Sequence, residues 1–442
     1  MDNAVVNDRA GASRTGRAGS GEPGGRSALR ALLARFAVLG GIAAQMSQAL
    51  GSLLLQVLAA RLLGADGLGA FAVLFGLIVM ATAVCTGFVG DSLTVLDRQR
   101  PDIRSALQTW LLVVASGGAL VAVAVAVLGG FLDPVGAVLF GAATAVFLVE
   151  DALRRLLMAD LRFWRIVAVD LVALGGSLIT LLVVAASGGT IGLGTLMLSL
   201  LIGQLVASGV AVALLPAGER WLAPPVRGAI RTVAGYGSWR AAQQFLRPGM
   251  LTAVRLLVVG LAGLAAMGTL EAARIYTAPL LLVVAGATSF LFASYASSQA
   301  EPRALLRRAD RSVLALFGGT ALLSAVAVLA MGVAAPLLIG DSIQLSAVSV
   351  AGWCAYSVAV AAVAPYGALA AVRRQQAAVV GLRVIELVLS LVAVTVLLAV
   401  GAGSEYVPLV LAGCTVAGGV AVRQLLLVRG TEVTDGARQT DS

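Results

Sequence analysis

GADGLGAFAVLFGLIVMATAVCTGFVG, residues 64–90, decides the fold. From Gly69 to Gly90 it carries no charge, and Asp66 and Asp91 bracket it. A helix of that length matches the hydrocarbon core of a bilayer, which takes about 20 apolar residues. The Gly-Ala-Asp-Gly segment ahead of it follows a second apolar run over 37–60, so the two runs read as spans joined by a tight turn. Outward from there, helix-length apolar segments recur at 107–130, 135–150, 166–186 and 191–215, then at 236–261, 267–294, 313–334, 345–371, 377–400 and 406–428. The sequence predicts an all-α polytopic membrane protein of about twelve transmembrane helices.

Composition agrees. Of 442 residues, 60% are hydrophobic and 12% charged, so a soluble domain of this length has no way to hide its apolar surface. The formal charge of +9 comes entirely from Arg, and there is no His, which removes the usual proton shuttle near neutral pH and the commonest metal ligand. Cys85, Cys354 and Cys414 stand alone in apolar segments, so neither a disulfide framework nor a metal site is indicated. Residues 1–36 are Gly-, Ser- and Arg-rich and are expected to form a disordered basic tail. The apolar run after it is too long for a signal-peptide core and is expected to stay as the first span.

The loops divide sharply by charge. One alternate set holds Arg30 and Arg35, then Arg98, Arg100 and Arg104, then Arg154, Arg155, Arg162 and Arg165. It continues through Arg220, Arg227 and Arg231, then Arg303, Arg307, Arg308 and Arg311, then Arg373, Arg374 and Arg429. The other set holds only Arg61, with Asp66, Asp133, Asp341 and Glu405. Basic residues in short loops stay on the cytoplasmic side, so both termini are expected there, with a multi-pass chain in a bacterial plasma membrane. Anionic headgroups account for the Arg loops without nucleic acid. No loop has room for a catalytic domain, and Asp91, Asp97, Glu150 and Asp151 beside the Arg loops read as solvated helix ends.

An offset of 199 residues superposes Gly64 on Gly263 and Gly69 on Gly268, and Gln45, Gln48 and Gln56 on Gln244, Arg247 and Arg255. The chain therefore divides into two parallel, pseudo-symmetric six-helix lobes, 37–215 and 236–428, with a linker over 216–235 and a short tail over 429–442. At 100° per residue Gln45, Gln48, Ser52 and Gln56 fall within about 80° on span 1, and Arg240, Gln243, Gln244, Arg247 and Arg255 within about 120° on span 7. An Arg within the bilayer needs a partner or a watery cavity, so Arg247 and Arg255 are either buried ion pairs or the lining of an anion site. The glutamines are substrate-binding candidates, with helix-to-helix hydrogen bonding as the alternative. Glu271 with Arg274, and Arg383 with Glu386, are spaced to pair on one helix face. These two pairs and the isolated Asp170 are the candidates for ion coupling.

RLLGADGLGAFAVLFGLIVMATAVCTGFVGDSL (61–93), EDALRRLLMADLRFWRIVAVDLV (150–172) and GTLEAARIYTAPLLLVVAG (268–286) resemble the polysaccharide flippases of the multidrug/oligosaccharidyl-lipid/polysaccharide superfamily. That resemblance implies MATE-like lobes that alternate access to a central cavity, moving a polyprenyl-pyrophosphate-linked oligosaccharide from the cytoplasmic to the outer leaflet. An anionic lipid-linked glycan is then the partner, together with membrane lipids and glycan-assembly enzymes. No cofactor or metal is implied, and a proton or sodium ion is left for coupling. The related drug extruders use an acidic residue in span 1 or 7, which this chain lacks. The peptidoglycan-precursor flippases carry spans after the twelfth and fit less well. A small-molecule antiporter and a membrane polysaccharide polymerase or ligase are the alternatives.

Overall fold

The structure, a computed structural model, describes residues 23–220, 223, 224, 226, 228–298, 301–373 and 375–428, with the backbone alone at 23–38, 293, 302 and 376. Residues 1–22 and 429–442, Arg227 and Arg374 lie outside the described residues, as do the side chains of Arg30 and Arg35. The first helix, α1, runs Pro23–Cys85. It therefore begins inside the segment read as a disordered tail.

The apolar part of this first stretch, Leu39–Val95, is 57 residues long. Straight, it would extend about 85 Å, far beyond a core of about 30 Å. Gly64, at φ 67°, breaks it into two passes. A π-helical turn at Thr86–Gly90 and a short α2 (Asp91–Val95) complete the second pass. The later helices are α3 (Pro101–Leu128), α4 (Pro134–Ala159), α5 (Phe163–Ala186) and α6 (Leu193–Leu214). After the linker come α7 (Ile230–Ala262), α8 (Leu264–Ala296), α9 (Pro302–Ile339), α10 (Ala347–Val372), α11 (Gln376–Ala399) and α12 (Val407–Ala421). Eleven helices among the described residues are long and apolar enough to cross a membrane, and the first crosses twice, which accounts for twelve passes.

Helices α3 to α6 gather around α1, while α9, α10 and α12 pack together with α8 and α11. The two groups meet where α1 lies against α7 and α8. At the end bearing the Gly64 and Gly263 turns, positions paired by the 199-residue offset approach each other closely. A Cβ on Gly69 would lie 2.1 Å from the Leu264 carbonyl oxygen, and one on Gly268 would lie 1.8 Å from that of Ala65. Ala65 and Leu264 are themselves related by the 199-residue offset, so the two halves clasp each other reciprocally, backbone against backbone. Only glycine permits that approach. Gly268→Val is expected to force this seam apart, seen as new labelling of a cysteine at Thr252 by a bulky maleimide applied from the turn end.

Arg61, the lone exception to the charge division, reinforces the same end. Its Nε donates to the Leu338 carbonyl at 2.9 Å and its Nη2 to that of Leu337, the exposed last carbonyls of α9. A cation at a helix C-terminus satisfies acceptors that the helix itself leaves unpaired.

At the opposite, Arg-rich end the two-fold relation fails. Gly87 packs on the Ala241 backbone, where a Cβ would come within 2.5 Å, and Asp91 beside it pairs with Arg240 at 2.7 Å. The offset counterparts do not touch. Gly286 has open space around it, Ile42 is 53% exposed, and Phe290 is 72% exposed. One seam is sealed and its symmetry mate is parted.

Candidate functional site

Two cavities lie in the Arg-rich halves of the lobes, with α7 between them. The larger, about 960 Å³, is lined by α7, α8, α10, α11 and α12. Its lining is apolar except for Arg240, Gln243, Arg247, Thr288, Ser289, Tyr356, Arg383, Glu386 and Thr415. The smaller, about 470 Å³, is lined by Gln45, Gln48 and Ser52 of α1, by Glu150, Arg154 and Arg155 of α4, by Asp170 of α5 and Gln204 of α6, and by Gln244 and Pro248 of α7.

The single stripe expected along span 7 is thereby corrected. Arg240, Gln243 and Arg247 face the larger cavity, whereas Gln244 and Pro248 face the smaller. A helical wheel gives the angle between residues but not the neighbours, and a sector of about 120° is wide enough to serve two sides of a helix wedged between cavities. The glutamines at 45 and 48 face the cavity of their own lobe.

Arg255 is corrected as well. Its side chain is 12% exposed, and its Nη2 lies 3.5 Å from Glu271, which also accepts from Arg274 at 2.6 Å. Arg274 in turn donates to Gln56 Oε1, linking α8 to α1. Of the two readings of Arg255, the buried ion pair is the one in place, and Gln56, 8% exposed, is a helix-to-helix bond. Glu271 is 3% exposed, so this cluster of two guanidinium groups and one carboxylate sits in the packed interface beneath the clasped glycines.

Arg247 is the contrasting case. It is exposed to the larger cavity, and among the described residues its one polar contact is Nη2 with the Tyr356 hydroxyl at 3.4 Å. Among the described residues no carboxylate lies within ion-pair distance of it. The other cations on the same wall are spoken for, Arg240 by Asp91 and Arg383 by Glu386 at 2.6 Å. Tyr356 is held by edge-to-face packing on Trp353, centroids 5.5 Å apart, whose indole N–H donates to the Leu270 carbonyl at 3.0 Å. Sequence reading passed over Tyr356, because nothing in an apolar helix marks one hydroxyl as cavity-facing. Pro248, next to Arg247 inside α7, removes the backbone donor that would bond to Gln244 and loosens the helix at the site.

The acidic residues of span 4 overturn the reading of solvated helix ends. Helix α4 continues to Ala159, well past the expected boundary at 150, and Glu150, Asp151 and Arg154 are 4%, 1% and 4% exposed. Asp170, read as lacking a local partner, lies 2.7 Å from Arg154 Nε and accepts from the Ser47 hydroxyl. Asp151 is 2.8 Å from Arg155. The helix runs on because these charges neutralise one another instead of seeking water. Asp91, also read as solvated, is the partner of Arg240. Cys85 and Cys354 are buried and Cys414 is partly buried, all as free thiols.

No protein-family model matches the sequence, and neither does any curated protein. Solved structures do match in fold. One described as the inward-facing conformation of a multidrug resistance MATE family transporter of the MOP superfamily superposes with a TM-score of 0.62 at 12% sequence identity, over 89% of this chain and 96% of that one. The outward-facing conformation of such a transporter gives 0.57 at 12%, over 91% and 95%. A MOP superfamily transporter from Pyrococcus furiosus, reported with a binding pocket of reverse polarity that suggests a different function, gives 0.57 at 12%, over 87% and 92%. The chain therefore has the all-helical fold of the MATE transporters, established at the level of architecture by likeness along nearly its whole length.

Proposed function

We propose that the protein is a flippase, carrying a polyprenyl-pyrophosphate-linked oligosaccharide or a related anionic glycolipid from the cytoplasmic to the outer leaflet for cell-surface polysaccharide synthesis. The observation that carries this reading is Arg247, a cavity-facing guanidinium whose one polar contact among the described residues is a tyrosine hydroxyl. An Arg in a membrane span faces either a partner or a watery cavity, and this one, on the cavity wall, is placed to meet an anion that enters. Guanidinium binds phosphate oxygens in bidentate fashion, and the cavity of about 960 Å³ has room for a pyrophosphate with its first sugars.

The parted seam supports the lipid half of the substrate. With the Arg-rich end cytoplasmic, the gap flanked by Ile42, Gly286 and Phe290 opens sideways into the inner leaflet, where a polyprenyl chain stays in lipid while its headgroup enters. The clasped turn end makes this the inward-open state of an alternating-access cycle.

The small-molecule antiporter is the second reading, favoured by the multidrug transporters among the matching folds. Charge supports the first reading, because among the described residues no carboxylate lies within ion-pair distance of Arg247. The test is reconstitution into lipid vesicles with a fluorescent prenyl-pyrophosphate disaccharide in one arm and an organic cation dye in the other. Transbilayer movement of the pyrophosphate lipid, lost in Arg247→Ala, is expected. Movement of the dye alone would replace the flippase by the antiporter.

A further inference from the structure

The glutamines of the two matched spans meet different surroundings. Gln56 is bonded to Arg274. Gln45 and Gln48 on α1 and Gln244 on α7 line the smaller cavity and have no polar partner among the described residues. Gln204 of α6 lines it too; that side chain is 8% exposed, and its Oε1 accepts no hydrogen bond among the described residues. The Gln244 carbonyl adds an acceptor, because the residue that would donate to it along the helix is Pro248. Amides within membrane spans ordinarily bond from helix to helix. Here four of them turn to one cavity with bonding capacity unused.

Charge narrows what could fill them. The two cations on this wall are committed, Arg154 to Asp170 at 2.7 Å and Glu150 at 3.7 Å, and Arg155 to Asp151 at 2.8 Å and the Thr86 hydroxyl at 2.7 Å. No guanidinium is left for an acidic group on a ligand, and the carboxylates already present repel one. What remains is amide and hydroxyl, from the glutamines, Ser52 and Thr82, beside the apolar walls of Phe75 and Phe147. Each amide offers two donors and an acceptor, which suits an uncharged ligand rich in hydroxyl groups.

We propose that the smaller cavity is a subsite for neutral sugars of the glycan, with Gln45, Gln48 and Gln244 as its hydrogen-bonding residues. Gln244 lies about 4.5 Å along α7 from Arg247, on the other side of a helix about 10 Å across. A glycan whose pyrophosphate sits on Arg247 rounds α7 within a few sugars, on the side where α1 and α8 are parted, and meets Gln48 and Gln45. The two cavities then divide one substrate between them, the anion to the cationic wall and the outer, uncharged sugars to the amides. As part of a lipid-linked substrate this subsite rests on the flippase reading, whereas its affinity for neutral sugars does not.

Binding to the full-length protein in lipid nanodiscs tests the assignment, with prenyl pyrophosphate bearing a neutral tetrasaccharide in one arm and sugar-free prenyl pyrophosphate in the other. The triple variant Gln45→Leu, Gln48→Leu, Gln244→Leu is expected to lose at least about tenfold of the preference for the glycosylated lipid, since each lost hydrogen bond removes a severalfold factor. The preference is a ratio within one variant, so a fall in folded protein leaves it unmoved, and Gln48→Leu alone should shift it in the same direction if the triple variant fails to insert. A preference unchanged from the wild type overturns the proposal. A second measurement needs no lipid substrate. Free neutral tetrasaccharide should slow labelling of Ser52→Cys by a small thiol reagent, read by mass spectrometry on that peptide, and a tetrasaccharide of uronic acids should not. Equal protection by the uronic acid chain overturns the choice of neutral sugars. If the wild type binds neither prenyl pyrophosphate, it is the flippase reading that fails, and labelling alone then decides the subsite: protection supports it, and its absence overturns it.

Discussion

Arg247→Ala is expected to weaken binding of a prenyl-pyrophosphate headgroup by at least about 30-fold and to stop its transbilayer movement, while leaving Tm equal to or above that of the wild type. Truncating one partner of a buried charge-assisted pair costs about 2–5 kcal/mol, and the lower value already corresponds to about 30-fold. Stability should not suffer, because the side chain faces the cavity and makes one long contact, with Tyr356 at 3.4 Å. A purely structural Arg would show the reverse, with lower Tm and unchanged affinity. Arg247→Lys should restore part of the binding, since it keeps the charge and loses the fork that takes two phosphate oxygens at once. Tyr356→Phe should cost far less, because it deletes one hydroxyl and leaves the ring packed on Trp353.

Glu271→Gln is expected to show the opposite pattern, a large fall in Tm and poor insertion. Glu271 is the only carboxylate shared by Arg255 at 3.5 Å and Arg274 at 2.6 Å among the described residues. Its removal leaves two guanidinium groups facing each other in a packed interface. Breaking such a pair costs about 3–5 kcal/mol because of the charge left behind, not because of the lost bond. Rescue distinguishes this from a general packing defect. Adding Arg255→Met to Glu271→Gln removes one of the stranded cations and should recover part of the lost Tm, a non-additive result expected only of groups in direct contact. Arg255→Met alone should be mild, since the Arg274–Glu271 pair survives it. The companion pair Arg383–Glu386 should tolerate Glu386→Gln better, because the Arg383 side chain is 37% exposed to the cavity.

The pair of predictions shows how alike two arginines look before folding. Arg247 and Arg255 lie on one helix, eight residues apart, and both stand in the hydrocarbon zone. Periodicity places them about 80° from each other and says nothing about what lies opposite. The fold puts Tyr356 and a cavity beside one, and Glu271 and Arg274 beside the other. The segment EDALRR at 150–155 is a similar case. Charges at the end of an apolar run look the same whether they meet water or one another. Asp170, which neutralises Arg154, arrives from the next helix.

By itself the sequence determined what depends on transfer from water to lipid and on local backbone chemistry. The apolar runs set the spans, the Arg loops divided the two ends, and the matched glycines at 64, 69, 263 and 268 marked both the repeat and the turns that close it. Those features are local, and each follows from the residues within a few turns of chain. The tertiary structure alone decided that the turn end is clasped while one seam at the Arg-rich end is parted, and that α7 divides two cavities. It also decided which cation is neutralised and which faces open space. Such outcomes turn on charges brought together from distant helices, where a few ångströms separate a paired guanidinium from one that faces a cavity.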